Sequence, residues 1–500
     1  MNLVKSFLIA MCLFISGTVF AATQPNILLI VSEDNGPELG CYGDPFAKTP
    51  HLDQLAGEGI LFRQAFVPQA GCSQSRASFL TGLYPHQNGQ IGLATWGFRM
   101  YQADTPNLPR RLKKAGYRTG IIGKLHINPA SAFPFDMHEI TGANFQRNQL
   151  GDYTKHAMEF MNATDEPFFL SVNYPDAHAP WIAQVDGLPK NPQTSSDVQV
   201  LDYMGIDSPE FRRMVANHYN CMSRLDSLVG DLLEALNQSG KADDTIVIYI
   251  GDHGADMLRG KRTCYEGGLR IPMLMRWPKH IVPQVRDELV STLDLMPTLL
   301  AASGAERVSG LPGAELQPLF QPGSAKWRTH FFAEYHTHAA APNYFPQRSV
   351  RGQRYKLIES LLPNTIHPDY DITIEKLHAS YREMNDGENL DLNAVIADSS
   401  PDVKTAYSLM RQPPRYQVYD LQEDPYEFRN LADDPEYATV FTELRKRLDR
   451  WRHETNDPLL DAKKLRMLTQ EVRSVKKKSD GKKYGWKYPE YLMESFDKQQ

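Results

Sequence analysis

Asn26-Ile27-Leu28-Leu29-Ile30-Val31 runs directly into Ser32-Glu33-Asp34-Asn35-Gly36. Five consecutive aliphatic residues without polar alternation describe a strand covered on both faces, as in a parallel sheet. Two adjacent carboxylates at the mouth of such a strand repel each other unless a cation lies between them, although a simple turn or capping pair is the plainer alternative. The pattern recurs three times. Tyr117-Arg118-Thr119-Gly120-Ile121-Ile122 leads into Gly123-Lys124-Leu125-His126, Pro167 to Val172 leads to Asp176-Ala177-His178, and Thr245 to Ile250 leads to Gly251-Asp252-His253-Gly254. Leu225, Leu228, Val229, Leu232, Leu233 and Leu236 recur at helical spacing and stop near Gly240, just before the last of these strands. Strands alternating with helices predict an α/β fold, a large mostly parallel mixed sheet sandwiched by helices. Ligands of such sheets bind beyond the carboxyl ends of the strands, where all four polar clusters fall.

The remaining composition bounds the class. At 500 residues and 41% hydrophobic content there is room for one large domain and a smaller one. Residues 1–21 carry Lys5, an apolar run from Phe7 to Ile15 and a small residue at Ala21, which reads as a secretory signal. Export to a periplasm or the medium is therefore expected. No later stretch is long and apolar enough to span a bilayer. Loss of Lys5 with that signal takes the formal charge from −6 to −7. An acidic chain is no general polyanion or nucleic-acid binder, so an anionic substrate has to be held by a local cluster of cations. The cysteines left after residue 21, Cys41, Cys72, Cys221 and Cys264, are too scattered to suggest a disulfide framework.

Cys72 opens the run Gly71-Cys72-Ser73-Gln74-Ser75-Arg76-Ala77-Ser78-Phe79-Leu80-Thr81-Gly82. It stands at a predicted helix start, where free N–H groups favour an anion, and Arg76 adds a fixed charge one turn later on the same side. Glu33, Asp34 and Asp252 supply hard carboxylate oxygens suited to Ca²⁺ or Mg²⁺, while His253 suits Zn²⁺ or Mn²⁺ better. Lys124 and His126, two apart, point to one side if the backbone there is extended. Arg76, Lys124 and Lys261 can surround a tetrahedral oxyanion, with His126 and His178 placed to move protons. A metal, an anion cage and one special cysteine together describe hydrolysis of a sulfate or phosphate ester.

Between about residues 25 and 458 the chain resembles the type I sulfatases of the alkaline-phosphatase superfamily, and among them the heparan N-sulfatases. The resemblance rests on Cys72 to Gly82, Gly123 to His126, Gly251 to Gly254 and Gly260-Lys261 running into Tyr265-Glu266-Gly267-Gly268. Pro85-His86-Gln87-Asn88-Gly89, Tyr344 to Arg351, Val418 to Glu427 and Trp451 to Pro458 extend it. It implies an alkaline-phosphatase-like catalytic domain over 22–328 and a smaller α+β domain with an antiparallel sheet over 329–458. Residues 459–500 are left as a basic tail. It also implies that Cys72 is oxidised to formylglycine by a maturation enzyme, and that Glu33, Asp34, Cys72, Asp252 and His253 hold one divalent metal, Ca²⁺ first, with Mg²⁺, Mn²⁺ and Zn²⁺ as alternatives. One hydroxyl of the hydrated aldehyde then attacks sulfur and the other expels sulfate. In this scheme Arg76 and Lys124 support the nucleophile, His126 takes a proton, and His178 and Lys261 face the leaving group and sulfate. The implied substrate is a sulfated oligo- or polysaccharide, heparin-like or algal (ulvan, carrageenan), with phosphonate or phosphate monoesters as the competing class. His336, His338, Tyr344 and Arg348 are the expected sugar-reading residues. Oligomeric state is left open, a dimer among the alternatives. Two positions depart from the family, Gln74 in place of the proline two after the cysteine and Glu33 in place of an aspartate; His253 stands where the heparan N-sulfatases have asparagine, while histidine there is familiar in other sulfatases and in phosphonate monoesterases.

Overall fold

The structure is a computed structural model and describes residues 24–493; the expected signal segment lies outside the described residues. An eight-stranded sheet forms the centre, in the order Gln284–Arg286, Ile60–Phe62, Met273–Arg276, Thr245–Gly251, Asn26–Ser32, Phe168–Asn173, Arg118–Gly123 and Met137–Glu139. Met273–Arg276 is the strand that runs antiparallel to its neighbours; the other pairings are parallel. Ile27 to Val31 are fully buried between Thr245–Gly251 and Phe168–Asn173. Each contributes roughly 1.5–3 kcal/mol by leaving water, which explains the uninterrupted aliphatic run. The leucine-rich pattern belongs to a 30-residue helix, Pro209–Gln238, begun by Ser208 accepting from Phe211 N at 3.1 Å.

A separate four-stranded antiparallel sheet, Phe331–Tyr335, Gln347–Arg351, Tyr355–Ser360 and Tyr416–Asp420, follows in the second half. Val350, Leu357 and Val418 on one face pack with Leu444, Leu448 and Trp451 of the helix Ala438–Glu454. Three helices between the third and fourth strands, beginning with Pro368–Met384, reach back toward the large sheet.

The stretch from residue 459 departs from the expected basic tail. Ala462–Ser474, Lys478–Lys483 and Tyr488–Met493 are helical. Leu468, Val472, Val475, Trp486, Tyr488 and Leu492 form a core with Ile91, Phe98 and Tyr344. The lysine-rich composition masked an inward apolar stripe at helical spacing.

Candidate active site

Sheet register assembles the site. Ser32 pairs with Gly251, Val31 with Asn173, and Gly123 with Asn173, so the residues that follow each strand emerge at one edge. Backbone bonds tie these exits together: Asp252 N donates to Ser32 O at 3.0 Å, and Glu33 N to Asp176 O at 2.9 Å. Asn35 braces the first exit, its side-chain oxygen accepting from Ser32 Oγ at 2.8 Å and Tyr249 OH at 2.7 Å. Gly254 has to be glycine, because a Cβ there would lie 1.8 Å from Gly267 O.

Cys72 is the first residue of the helix Cys72–Thr81, whose ten residues are all buried. Its Sγ lies 3.3 Å from His253 Nε2. Arg76, one turn on, pairs with Glu33 and with Asp252 Oδ2 at 3.2 Å, and donates to Asn173 Oδ1 at 2.7 Å. Lys124 Nζ reaches Glu33 Oε2 at 2.6 Å, and Lys261 Nζ reaches Asp34 Oδ1 at 2.8 Å. The expected catalytic and metal-ligating residues thus converge, as carboxylates alternating with cations. Burial pushes the Cys72 thiol up, but Lys124, Lys261 and His253 outweigh it and bring it down to about 6. Burial also opposes ionisation of Asp34, yet Lys261, His178 and His253 hold it well below the usual carboxylate range.

The donor set fits a divalent cation. Ligand atoms of Glu33, Cys72 and Asp252, and of Asp34, Cys72 and His253, lie within 4.8 Å of one another. Asp34 Oδ2 is buried with no hydrogen-bond partner among the described residues. His253 Nδ1 lies 2.9 Å from Gly254 O and donates to it, which leaves Nε2 as the ring nitrogen that faces Cys72, Asp34 and Asp252.

The histidines differ from the expectation in detail. Lys124 and His126 do not share extended backbone, since the strand ends at Gly123 and His126 takes φ +57°. Its ring still belongs to the site: burial and then Lys124 hold it well below the ordinary histidine range, and both ring nitrogens are shut from solvent and unpaired among the described residues. His178 is likewise lowered, by burial first, with Asp34 opposing. Its Nδ1 lies 2.5 Å from Ala179 O and its Nε2 3.9 Å from Asp34 Oδ2.

Three of the four expected sugar-reading residues are corrected. Arg348 is buried in a bidentate pair with Asp457 at 2.8 and 2.9 Å. His336 lies against Glu334 at 3.5 Å with no exposure, and Tyr344 OH meets Thr469 Oγ1 at 3.0 Å inside the fold. Arg348 and His336 brace the four-stranded sheet, and Tyr344 ties it to the helix Ala462–Ser474. His338 alone reaches the site edge, where burial and then Lys261, Arg262 and His253 suppress its protonation.

Sequence reasoning missed two contributors. Phe145 stacks on His178 with ring centroids 3.7 Å apart and has Lys124 Nζ 5.1 Å over its centre. No motif marks it, because it sits in an irregular loop. Phe145→Ala is expected to lower kcat/KM by up to about tenfold, the worth of an aromatic pair, by freeing the His178 ring; steady-state kinetics on a small sulfate ester checks this. Lys376, on Pro368–Met384, pairs with Asp256 and interacts electrostatically with Asp34 and Cys72, so this helix delivers a cation to the site edge.

The family model described as "Sulfatase" matches residues 25–305, and "N-sulphoglucosamine sulphohydrolase, C-terminal" matches 251–387. Human N-sulphoglucosamine sulphohydrolase is 33% identical over 485 residues, covering 87% of this chain and 91% of its own length. An ulvan-active sulfatase of Formosa agariphila is 29% identical, covering 86% and 74%. A protein solved with its substrate D-glucosamine-2-N,6-O-disulfate shares the fold at TM-score 0.63 and 20% identity, covering 87% of this chain and 98% of its own. Phosphonate monoester hydrolase of Agrobacterium radiobacter shares it at TM-score 0.64 and 18% identity, covering 86% and 96%. Fold similarity alone spans both chemistries, but the family match covers more than half the chain and includes the cysteine, both carboxylate clusters and both lysines. With its alkaline-phosphatase-like sheet and this ring of charge, the chain belongs to the sulfatase family, the hydrolases of sulfate esters and sulfamates.

Proposed function

We propose that the protein removes sulfate, as N-sulfamate or O-ester, from amino sugars of sulfated glycans, with residue 72 matured to formylglycine and one divalent cation, Ca²⁺ first, at Glu33, Asp34, Asp252, His253 and residue 72. The observation that carries this is the setting of Cys72, a helix-start thiol lowered to about 6 in a cage of three cations and three carboxylates. The formylglycine would supply an electrophilic carbon whose hydrate is the nucleophile, and the cation would withdraw charge from the sulfate oxygens. Human N-sulphoglucosamine sulphohydrolase supports an N-sulfated glucosamine as the first substrate to test, and the ulvan-active relative an O-sulfated algal chain as the second.

The chain's own residues fill the remaining roles. Lys124 and Lys261 flank residue 72 and hold sulfate oxygens, while Arg76 keeps Glu33 and Asp252 fixed. His126, kept neutral, accepts a proton. His178 donates Nδ1–H to Ala179 O, burial outweighs Asp34 in keeping the ring neutral, and its Nε2 faces the leaving group. Cys72 is 2% exposed and Gln74 is fully buried, so a maturation enzyme has to reach them before the chain folds. Export through residues 1–21 belongs to the same proposal.

The deciding experiment combines sulfate release from N-sulfoglucosamine and ulvan oligosaccharides with a mass spectrum of the peptide containing residue 72. An active protein with an unmodified thiol, or faster cleavage of a phenyl phosphonate than of any sulfate, overturns the proposal. Chelation is expected to abolish turnover and Ca²⁺ to restore it. Independently of turnover, Ca²⁺ at ~100 times its dissociation constant is expected to stabilise the apoprotein by about 2.7 kcal/mol, read from the urea midpoint.

A further inference from the structure

Between Lys463 and Lys487 the sequence carries ten lysines and arginines against two carboxylates, in a chain with 54 basic and 60 acidic residues overall. One of those carboxylates, Glu471, is 8% exposed and already committed to Lys487 N at 2.5 Å and Tyr491 OH at 2.6 Å. Asp480 is therefore the only acidic side chain left on the outer face of this stretch. Lys464 aside, no basic side chain of the ten has an ion-pair or hydrogen-bond partner among the described residues.

The fold turns this charge into a fixed surface. On the helix Ala462–Ser474, Lys463, Arg466, Gln470 and Arg473 follow at spacings of 3, 4 and 3, one outward stripe; Leu468 and Val472 face inward. At 1.5 Å per residue the stripe runs about 15 Å. It ends at Lys476, Lys477 and Lys478, all exposed. Two anchors make the surface rigid. Trp486 stacks on Phe98 with centroids 4.2 Å apart and donates Nε1–H to Trp96 O at 3.1 Å. Tyr488 OH accepts from Arg99 N at 2.7 Å and donates to Arg99 O at 2.6 Å. Tyr484, 39% exposed, stands edge-on to Trp486 among the lysines, an open aromatic face of the kind that packs on a sugar ring.

The surface is also coupled to the catalytic helix. Ala94 N, in the loop covered by Lys478–Lys483, donates to Ser73 Oγ at 2.9 Å, next to Cys72. Gly97 approaches Gly481 so closely that a Cβ would sit 2.5 Å from its carbonyl oxygen. On the other flank Ala341 N donates to Val475 O at 3.2 Å, and Gln74 Nε2 to Thr337 O at 2.5 Å.

From this we infer that the outer face of residues 463–487 is a docking surface for a sulfated glycan chain, holding the extension of the substrate whose end is seated at residue 72. The inference rests on the reading of the site as a glycan sulfatase. Cations gathered on one face without carboxylate partners create a local positive field that attracts a polyanion, while the chain's net negative charge disfavours its binding elsewhere.

Heparin oligosaccharide binding by the full chain carrying Cys72→Ala tests it without turnover. Calorimetry is expected to show an octasaccharide bound about tenfold or more tighter than a disaccharide, with affinity falling steeply as salt rises. Two separate charge-reversed chains, K463E/R466E/R473E and K476E/K477E/K478E, are each expected to lose about tenfold in octasaccharide affinity and to flatten the salt dependence. Equal affinity for the two lengths overturns the inference, as does wild-type affinity in both variants. Double-stranded DNA bound as tightly as heparin overturns the assignment to a glycan. The length comparison needs no surface variant, so misfolding of either variant leaves the inference falsifiable. Binding without any glycan desulfation faults the proposed function, whereas desulfation of N-sulfoglucosamine without this binding faults only the docking surface.

Discussion

Replacing Cys72 by alanine is expected to lower kcat/KM for sulfate release by at least ~10⁴-fold, the scale on which loss of a covalent nucleophile is felt. The variant should fold. Alanine is the best helix former, and the site loses one sulfur from a first-turn position rather than a methylene from a packed core. The surrounding charges also stay matched. Arg76 keeps Glu33 and Asp252, Lys124 keeps Glu33, and Lys261 keeps Asp34, so no cation is stranded by removing the thiol. Activity and stability are therefore separable at this position, which makes the experiment decisive. A variant that melts with the wild type yet retains activity within tenfold overturns the role of residue 72. Gln74 asks for a parallel measurement, the fraction of residue 72 converted to aldehyde. In the folded protein Gln74 is a strut, fully buried and bonded to Thr337 O, so its departure from the family has a structural meaning of its own.

The parts of this molecule that were legible in the sequence are those where chemistry and period coincide. Ile27 to Val31 announced a buried parallel strand because both faces need aliphatic cover, and Glu33, Asp34, Asp252 and Lys124 followed strand ends that the register then brought together. His178 likewise followed a strand end, whereas Lys261 came from a motif rather than from periodicity. What stayed hidden depends on distance along the chain. Phe145 reaches His178 from an unpatterned loop, and Lys376 arrives from a helix more than a hundred residues beyond Lys261. Arg348 shows the opposite error. A charged residue in a motif invites a role with substrate, yet its guanidinium is fully buried and answered by Asp457, a partner 109 residues away. The basic segment misled for a related reason: lysine content reports the outer face, while Leu468, Val472 and Trp486 decide that the segment folds.

That buried pair sets up the largest expected effect on stability. Asp457 accepts Arg348 Nη2 and Nε at 2.8 and 2.9 Å, Arg452 Nε at 2.7 Å, and Leu459 N at 3.0 Å, and all three charged side chains are shut from solvent. Asp457→Ala is expected to destabilise the protein by about 3–5 kcal/mol, because an arginine in a dry interior cannot shed its proton to escape the cost. Glu334, 3.6 Å from Arg348 Nε, and Glu359, 3.0 Å from Arg452 Nη1, keep partial compensation and hold the loss to that range. Urea unfolding at pH 7 gives the difference. The pH dependence then tests its electrostatic origin. Burial alone would raise the Asp457 carboxyl, but Arg348 and Arg452 hold it well below the usual range, so its folded pKa lies under the unfolded value of about 3.9. Its contribution is complete above that unfolded value and is lost as pH falls through the folded one. Wild type and variant should therefore differ by a constant amount from neutrality down to about pH 5, then converge as acid protonates Asp457. A difference unchanged by acid would mean that alanine costs stability through lost packing, and the ion pair would have to be given up as the source.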